Sequence, residues 1–229
     1  MRTTLSAAML AGLMLTSLSA HAGRPLGTDD AGTAGDRQCQ LEGWAEDGDH
    51  FHGWTVSPAC GIGDFELGLE YARSSESGLV AKDGAIALKW VPGQLAWGPL
   101  KFGAKAFYGR VKAEPDDWRG SEGGAFAIMT WDIAPSWTAH LNLGAARNYI
   151  DGKTNGTGNA ALVWTPHERW LFFAEVLGTQ RSPATQNIGL RFWVIPEKFG
   201  LDLTAGRDAG VDDSTRYTAG FGWYGIFGD

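Results

Sequence analysis

Hydrophobic and polar positions alternate with a period of two along most of the chain, which predicts β-strands with two different faces. The clearest alternation, with apolar residues on one face and polar, charged or glycine residues on the other, covers residues 37–45, 64–71, 101–108, 137–145, 187–194 and 217–224. A weaker form of this pattern covers residues 51–59, 84–91, 124–133, 159–165, 170–178 and 199–206. We therefore predict about twelve strands, an even number, as single-chain bacterial barrels have.

The predicted connections between these strands fall into two classes. Short turns, most of which contain proline, follow every second strand at residues 57–58, 91–93, 134–136, 165–168 and 195–198. Between them lie mainly longer polar connections, at residues 47–50, 73–83, 109–123, 147–158, 179–185 and 207–215. Short periplasmic turns that alternate with longer outer loops are typical of outer-membrane β-barrels.

The apolar face of the predicted strands almost never carries a charge. A charged side chain at the middle of a bilayer costs roughly 2–4 kcal/mol, so an uncharged face suits contact with lipid. Aromatic rings, which favour the membrane interface, cluster at strand ends beside the short turns. These aromatic residues are Trp90, Trp97, Trp131, Trp137, Trp164, Trp170, Phe192, Phe199, Trp223 and Phe227.

A soluble sandwich or a lipocalin-like barrel also has alternating strands, but it would place its charges outside. In lipid the sheet has to close, because an open edge would leave backbone groups unpaired. We therefore predict an all-β fold, a closed antiparallel transmembrane β-barrel of about 12 strands over residues 37–229.

The N-terminus has the features of a secretory signal. Arg2 precedes an apolar run over residues 5–18, and small residues flank His21 as cleavage sites require. The run is shorter than the ~20 residues that a membrane-spanning helix needs, although a retained anchor is the alternative. We predict a signal peptide at residues 1–22, localisation in the bacterial outer membrane, and outer-membrane lipid and the barrel-assembly machinery as partners.

The chain contains two cysteines, and an exported protein meets an oxidising compartment. A hairpin that turns near residues 47–50 pairs positions whose numbers sum to 99, which sets Cys39 opposite Cys60. Their expected separation is near that of a disulfide, so we predict this bond, with two free thiols as the alternative. Residues 23–36 show no periodicity, and we interpret them as an irregular N-terminal segment and a candidate plug of the barrel.

The sequence of residues 24–33, Arg-Pro-Leu-Gly-Thr-Asp-Asp-Ala-Gly-Thr, is followed at residues 40–42 by Gln-Leu-Glu. These motifs resemble the "MetA-pathway of phenol degradation" family of bacterial outer-membrane proteins. The resemblance by motif covers residues 24–42 and implies an outer-membrane barrel that passes small or apolar molecules. One departure is that Phe227 lies two residues before the end, whereas such barrels commonly finish on an aromatic residue.

The face that we expect to line the lumen carries charges of both signs. They either create a field that selects solutes or pair across the lumen and fill it. Asp64 shares this face. The candidate lumen-lining residues are Glu42, Glu66, Glu70, Lys89, Lys101, Lys105, Asp132, His140, Glu175, Arg191 and Asp202.

The remaining chemistry argues for transport. The formal net charge of −7 disfavours nucleic acid as a partner. His50 and His52 lack a third metal ligand, so we predict no metal or cofactor, and no local arrangement of Ser, His and acid predicts an enzyme. We expect a channel or facilitator for small solutes, hydrophobic or aromatic ones included; the alternative is a filled structural barrel that acts through its extracellular loops in adhesion or partner binding.

Overall fold

A computed structural model describes residues 24–113, 115–209 and 215–227, so the predicted signal peptide lies outside the described residues. None of the described residues belongs to a helix long and apolar enough to cross a membrane. A short 3-10 helix covers Gly93–Leu95. The strands are β1 Cys39–Gly48, β2 Phe51–Ile62, β3 Phe65–Glu76, β4 Leu79–Trp90, β5 Ala96–Trp97, β6 Leu100–Ala113, β7 Arg119–Ala134, β8 Trp137–Asn148, β9 Thr154–His167, β10 Trp170–Thr179, β11 Thr185–Ile195, β12 Phe199–Asp208 and β13 Thr215–Ile226.

The twelve long strands form one closed antiparallel sheet. Neighbours in the chain pair with one another, β1 pairs with β13, and β4 pairs with β6. The two-residue strand β5 only extends the edge of β6 at its start. Closure leaves no long strand with an open edge, as a sheet in lipid requires. The predicted closed twelve-stranded barrel is confirmed.

The register of the first hairpin also follows the prediction. Cys39 pairs with Cys60 and Gly48 pairs with Phe51, so the paired numbers sum to 99 along β1 and β2. The two cysteines form a disulfide, with their Cα atoms 4.0 Å apart. The predicted bond is therefore confirmed, and it lies where the barrel sheet begins.

The outer surface has the pattern of a lipid-facing barrel. We call the end of the barrel that holds Cys39 and Ile226 the proximal end, and the other the distal end. Exposed aromatic side chains surround the proximal end, and some contact each other, with ring centroids 5.8 Å apart for Trp137 and Trp164. Exposed aliphatic side chains form the band beyond them, as in outer-membrane barrels. The band includes Leu67, Leu69, Ile86, Leu88, Leu143, Leu162, Val176, Ile188, Leu201 and Leu203.

Strand lengths differ from the prediction, mostly at the distal end. Residues 73–83, predicted as a loop, continue β3 and β4 and leave a turn of only Ser77 and Gly78. The described strands leave two to six residues for each distal connection, so the outer loops are shorter than predicted. The reason is that these strand ends lose the alternation that marks a strand: the end of β3, residues 73–76, is polar on both faces, and the start of β4, residues 79–81, is apolar on both.

The first proximal turn was also placed wrongly. Ser57 and Pro58 lie inside β2, where Pro58 is opposite Leu41 of β1, and the chain turns at Gly63 and Asp64 instead. Proline lacks a backbone N–H and usually marks the end of a strand, which is why it suggested a turn. Asp64 is therefore an exposed turn residue and does not line the lumen.

Candidate functional site

The predicted irregular segment of residues 23–36 is described from residue 24, and the barrel sheet begins at Cys39. We call residues 24–38 the N-terminal segment; residues 24–35 lie inside the barrel, and residues 36–38 lie at its proximal entrance. The segment enters at the proximal end, where Asp36 forms a parallel bridge with Gly61 and the Gly61 N–H donates a 2.9 Å hydrogen bond to the carbonyl oxygen of Gln38. Gly61 is needed here, because a Cβ atom at this position would lie 2.0 Å from the carbonyl oxygen of Gly35. The entry point is thus fixed by close contact between two backbones.

Beyond this entry point, side chains of the barrel hold the backbone of the segment. An irregular buried chain needs partners for its N–H groups, and carboxylates are strong acceptors for them. Six of its N–H groups donate to lumen side chains: Ala34 to Glu66 at 2.7 Å, Ala31 to Thr130 at 2.8 Å, Asp29 to Asn142 at 2.7 Å, Thr28 to Glu175 at 2.8 Å, Gly27 to Glu175 at 2.9 Å, and Arg24 to Glu42 at 2.8 Å.

Asp29 is the most enclosed charge of the segment, with none of its surface exposed. Its carboxylate lies 3.0 Å from the Lys105 ammonium and 3.5 Å from that of Lys89. The Asn142 side chain accepts from the Asp29 N–H and donates to its carbonyl oxygen at 2.9 Å. One aspartate is therefore held by two cations and an amide that come from three strands.

Asp30 makes a second contact with the same wall, 3.0 Å from the Lys89 ammonium. The side chain of Asp30 is 54% exposed, unlike that of Asp29. The Lys89 charge lowers the pKa of Asp30 from its ordinary 3.8 to about 2. This carboxylate therefore stays ionised at any physiological pH.

Arg24 occupies the opposite wall of the lumen. Its guanidinium pairs with Asp202, donates to Thr218 at 2.9 Å and lies 5.0 Å from the centre of the Trp44 ring. Asp202 also accepts from Arg191 at 2.8 Å. The segment thus presents its carboxylates to a lysine wall formed by β4 and β6, and its cation and several N–H groups to a carboxylate wall formed by β1, β10 and β12.

The structure divides the predicted lumen candidates into three groups. Glu42, Lys89, Lys105, Glu175, Arg191 and Asp202 are buried in the interior. Glu66, Glu70 and His140 are half-buried there, with His140 Nδ1 2.9 Å from the Thr130 hydroxyl. Lys101 and Asp132 pair with each other at 3.2 Å on the exposed proximal rim and have no contact with the segment among the described ion pairs.

Three uncharged side chains that contact the segment, Thr130, Asn142 and Thr218, are not among the predicted lumen residues. Thr130 and Asn142 lie on the inward face of β7 and β8, and both are buried. Alternation places them on the polar face, but an uncharged amide or hydroxyl there has the same pattern whether it contacts the segment or water. The signal that identifies them is an amide or hydroxyl on the same face as the lumen charges.

The distal half of the lumen is open and contains a cavity of about 340 Å³. Arg24, Pro25, Leu26 and Gly27 contribute to its lining from the proximal side. Acids outnumber bases on its wall, and one of the arginines, Arg216, is itself paired with Glu46 at 3.3 Å. The charged barrel residues that line this vestibule are Glu46, Glu70, Glu76, Asp83, Glu122, Glu175, Asp208, Arg73 and Arg216.

The histidines near the first distal turn do not form a metal site. His52 contacts Asp47, and both side chains are largely exposed. Throughout residues 24–113, 115–209 and 215–227, no group of three or more His, Cys, Asp or Glu side chains is arranged to hold a metal ion.

Comparison with solved structures shows the fold of outer-membrane β-barrels. A KdgM porin superposes with a TM-score of 0.62 at 11% identity, over 80% of this chain and 98% of the porin. A NanC porin gives a TM-score of 0.60 at 8% identity, over 81% and 98%. Outer membrane phospholipase A from Escherichia coli gives 0.53 at 10% identity, over 87% and 94%. With its exposed apolar band, the chain is an outer-membrane β-barrel.

No curated protein sequence matches the chain significantly. A family model described as "Uncharacterised conserved protein UCP029691" matches residues 10–222, which include all of the N-terminal segment and nearly all of the barrel. The chain therefore belongs to the family of uncharacterised conserved proteins UCP029691.

Proposed function

We propose that the protein is an outer-membrane channel for small solutes, and that its own N-terminal segment closes the lumen. The observation that carries this proposal is the division of the lumen into an open distal vestibule and a proximal half filled by residues 24–35. Beyond its entry point the segment is held by side chains and not by strand pairing. It can therefore leave the lumen without breaking the barrel.

The shape of the barrel suggests which way the vestibule faces. Outer-membrane barrels have their shorter turns on the periplasmic side. Of the five proximal connections, three consist of two residues and one of three, and residues 91–99 form the one long exception. Four of the six distal connections have five or six residues between the ends of the described strands. We therefore assign the proximal end to the periplasm, so that the vestibule opens to the outside and the segment blocks the periplasmic exit.

The vestibule suits small solutes. Its volume of about 340 Å³ lies at the lower end of the ~300–1,000 Å³ of ligand pockets. Hydrophobic and aromatic solutes remain part of the proposal through the resemblance of residues 24–42 to the phenol-degradation family. That resemblance stays a prediction.

A second candidate function has one observation in its favour. The buried charges of the lumen are closely paired with the segment, as expected of a filled structural barrel. Such a barrel would have to act through its extracellular loops, and connections of two to six residues offer little surface for adhesion or partner binding. The channel is therefore the preferred function.

Single-channel recording in planar bilayers tests the proposal. The mature chain and a variant that lacks residues 24–35 are compared, with Asp36 and the disulfide retained at the entry point. We expect rare openings from the mature chain and sustained current from the variant. Lys101→Gln, which removes a charge at the proximal rim, is the matched control and should resemble the parent. A folded deletion variant, judged by heat-modifiable gel mobility, that carries no current would favour the filled barrel.

A further inference from the structure

Outward-facing cations surround the distal end of the barrel at the level where the apolar band ends. The basic belt, as we call them, consists of Arg73, Lys82, Arg110, Arg147 and Arg207. We infer that the basic belt binds the phosphate groups of lipid head groups in the surrounding leaflet, which is the outer one in the orientation proposed above. This inference goes beyond the channel function, and its test needs no current.

The belt residues share their strand faces with the apolar band. Side chains at even spacing along a strand lie on the same face, so a cation four residues beyond an exposed leucine also faces outward. Strand pairing sets Lys82 directly opposite Arg73, and Arg110 opposite Gly84, which lies on the same face as Lys82. The pairs of exposed leucine and belt residue are Leu69 and Arg73, Leu143 and Arg147, and Leu203 and Arg207.

The basic belt lies one membrane thickness away from the aromatic side chains of the proximal end. Nine residues run from the exposed Phe65 to Arg73 in β3, and nine run from Lys82 to the exposed Trp90 in β4. A tilted strand needs ~9–11 residues to cross the membrane. With the aromatic rings at one interface, the belt therefore lies at the other, where the hydrocarbon ends and the head groups begin.

Three of the belt arginines have no partner within the described part of the chain. Arg73, which also borders the vestibule, Arg147 and Arg207 make no ion pair and no side-chain hydrogen bond there. Arg110 donates a 3.0 Å hydrogen bond to a backbone carbonyl oxygen, and Lys82 has a contact of its own. Guanidinium groups match phosphate oxygens through two parallel hydrogen bonds, and anionic head groups attract cations at the membrane surface.

Acidic side chains do not balance the belt on the outer face of the described strands. The acid that faces outward at this level is Asp47, which already contacts His52. The other acids at the distal ends of the described strands line the vestibule. Asp117 and Asp151, in the distal connections, lie 3.9 and 3.8 Å from lysines outside the belt. The outer face is therefore cationic at the same end of the barrel at which the lumen is acidic.

Native mass spectrometry of the folded mature chain, released from mixed micelles, tests the inference. The two probes are phosphatidic acid, which exposes its phosphate, and phosphatidylcholine, whose phosphate is neutralised by choline. We expect the parent to retain phosphatidic acid over phosphatidylcholine by about fivefold, the gain from one cation near a head group. Arg147→Gln together with Arg207→Gln, neither of which lines the vestibule, should lower this ratio at least about twofold. Lys101→Gln together with Lys198→Gln removes the same charge at the proximal end and should keep the ratio.

Three outcomes would overturn the inference. The parent retains both lipids equally, the belt variant keeps the ratio of the parent, or the belt variant and the proximal control lose it equally. Phosphate from solution is distinguished by calorimetry, in which the parent should not bind inorganic phosphate in the absence of lipid. Binding of inorganic phosphate that the belt variant loses would overturn the lipid as the occupant. The belt side chains are exposed, so both variants should fold, which heat-modifiable gel mobility checks.

Discussion

Asp29→Asn should weaken the closed state, in which the N-terminal segment fills the lumen, and it hardly changes the shape of the side chain. The amide has the size of the carboxylate, but it removes the charge between Lys89 and Lys105. Removing one partner of a buried ion pair costs about 3–5 kcal/mol where the remaining charge is left unpaired. We use the lower end, because Lys89 keeps its contact with Asp30 and Lys105 keeps an interaction of its own.

A loss of about 3 kcal/mol corresponds to a factor of about a hundred in the equilibrium between closed and open lumen. The assay is the open probability of single channels in planar bilayers, compared with that of the parent chain. Asp30→Asn is the matched control: its side chain is half exposed, so its ion pair is worth about 1 kcal/mol or less and the open probability should rise by no more than about fivefold.

Two outcomes would refute the reasoning. If folded Asp29→Asn opens no more often than the parent, the carboxylate does not hold the segment in place. If Asp30→Asn opens the channel as much as Asp29→Asn, burial of the pair does not determine its strength. The fraction of folded protein in each sample is measured by heat-modifiable gel mobility before recording.

Four further predictions follow from other contacts. Glu175→Gln weakens the acceptor of the Gly27 and Thr28 N–H groups and of the Thr28 hydroxyl. Charge-assisted hydrogen bonds are worth about 1.5–3 kcal/mol, so the open probability should rise roughly tenfold or more. An unchanged open probability would contradict these contacts. The open probability of Asp30→Asn divided by that of the parent should be the same at pH 7 and at pH 5. The stabilisation from a carboxylate with a lowered pKa is complete above pH 3.8 and is lost only as the pH falls through about 2. A smaller ratio at pH 5 would show that Asp30 titrates there. Leu203→Arg, in the exposed band of β12, should cost about 2–4 kcal/mol in a urea refolding titration in lipid vesicles, and Leu203→Ala much less; equal costs would place this residue outside the bilayer. The double substitution of Cys39 and Cys60 by Ser should lower the free energy of unfolding by about 3 kcal/mol relative to the oxidised parent, measured in the same titration. No difference would mean that strand pairing alone holds the hairpin.

The barrel could be predicted because the signal for each strand, the alternation of its two faces, lies within that strand. Lipid excludes charge from one face of each strand, so alternation around Phe65 or Leu201 marks strand and face together, and hairpin pairing then fixes the Cys39–Cys60 register. The distal strand ends could not be predicted, because outside the lipid the two faces of a strand no longer differ, as at residues 73–76 and 79–81. Pro58 shows the opposite error: a residue that usually interrupts strands lies within one.

The interior site was only half predictable. The charges at Lys105 and Glu175 fall on the polar face, which alternation identifies, but their partners lie far away in the chain: Asp29 is 76 residues from Lys105. Most of the contacts also use backbone N–H groups of the segment, which every residue except proline has, so they leave no mark in its sequence. A segment without periodicity therefore looks the same whether it is a linker or a bound ligand.

The anchoring of residues 36–39 at Gly61 and Cys60 makes the N-terminal segment a tethered ligand. Fully extended, the free residues 24–35 reach about 40 Å at ~3.3 Å per residue, so the released segment stays near the mouth of the barrel. A short flexible tether of this kind keeps its ligand at an effective concentration of the order of millimolar. In the proposed channel, closing is therefore an intramolecular event. Its equilibrium depends on the length of the free part of the segment and not on the concentration of a second molecule.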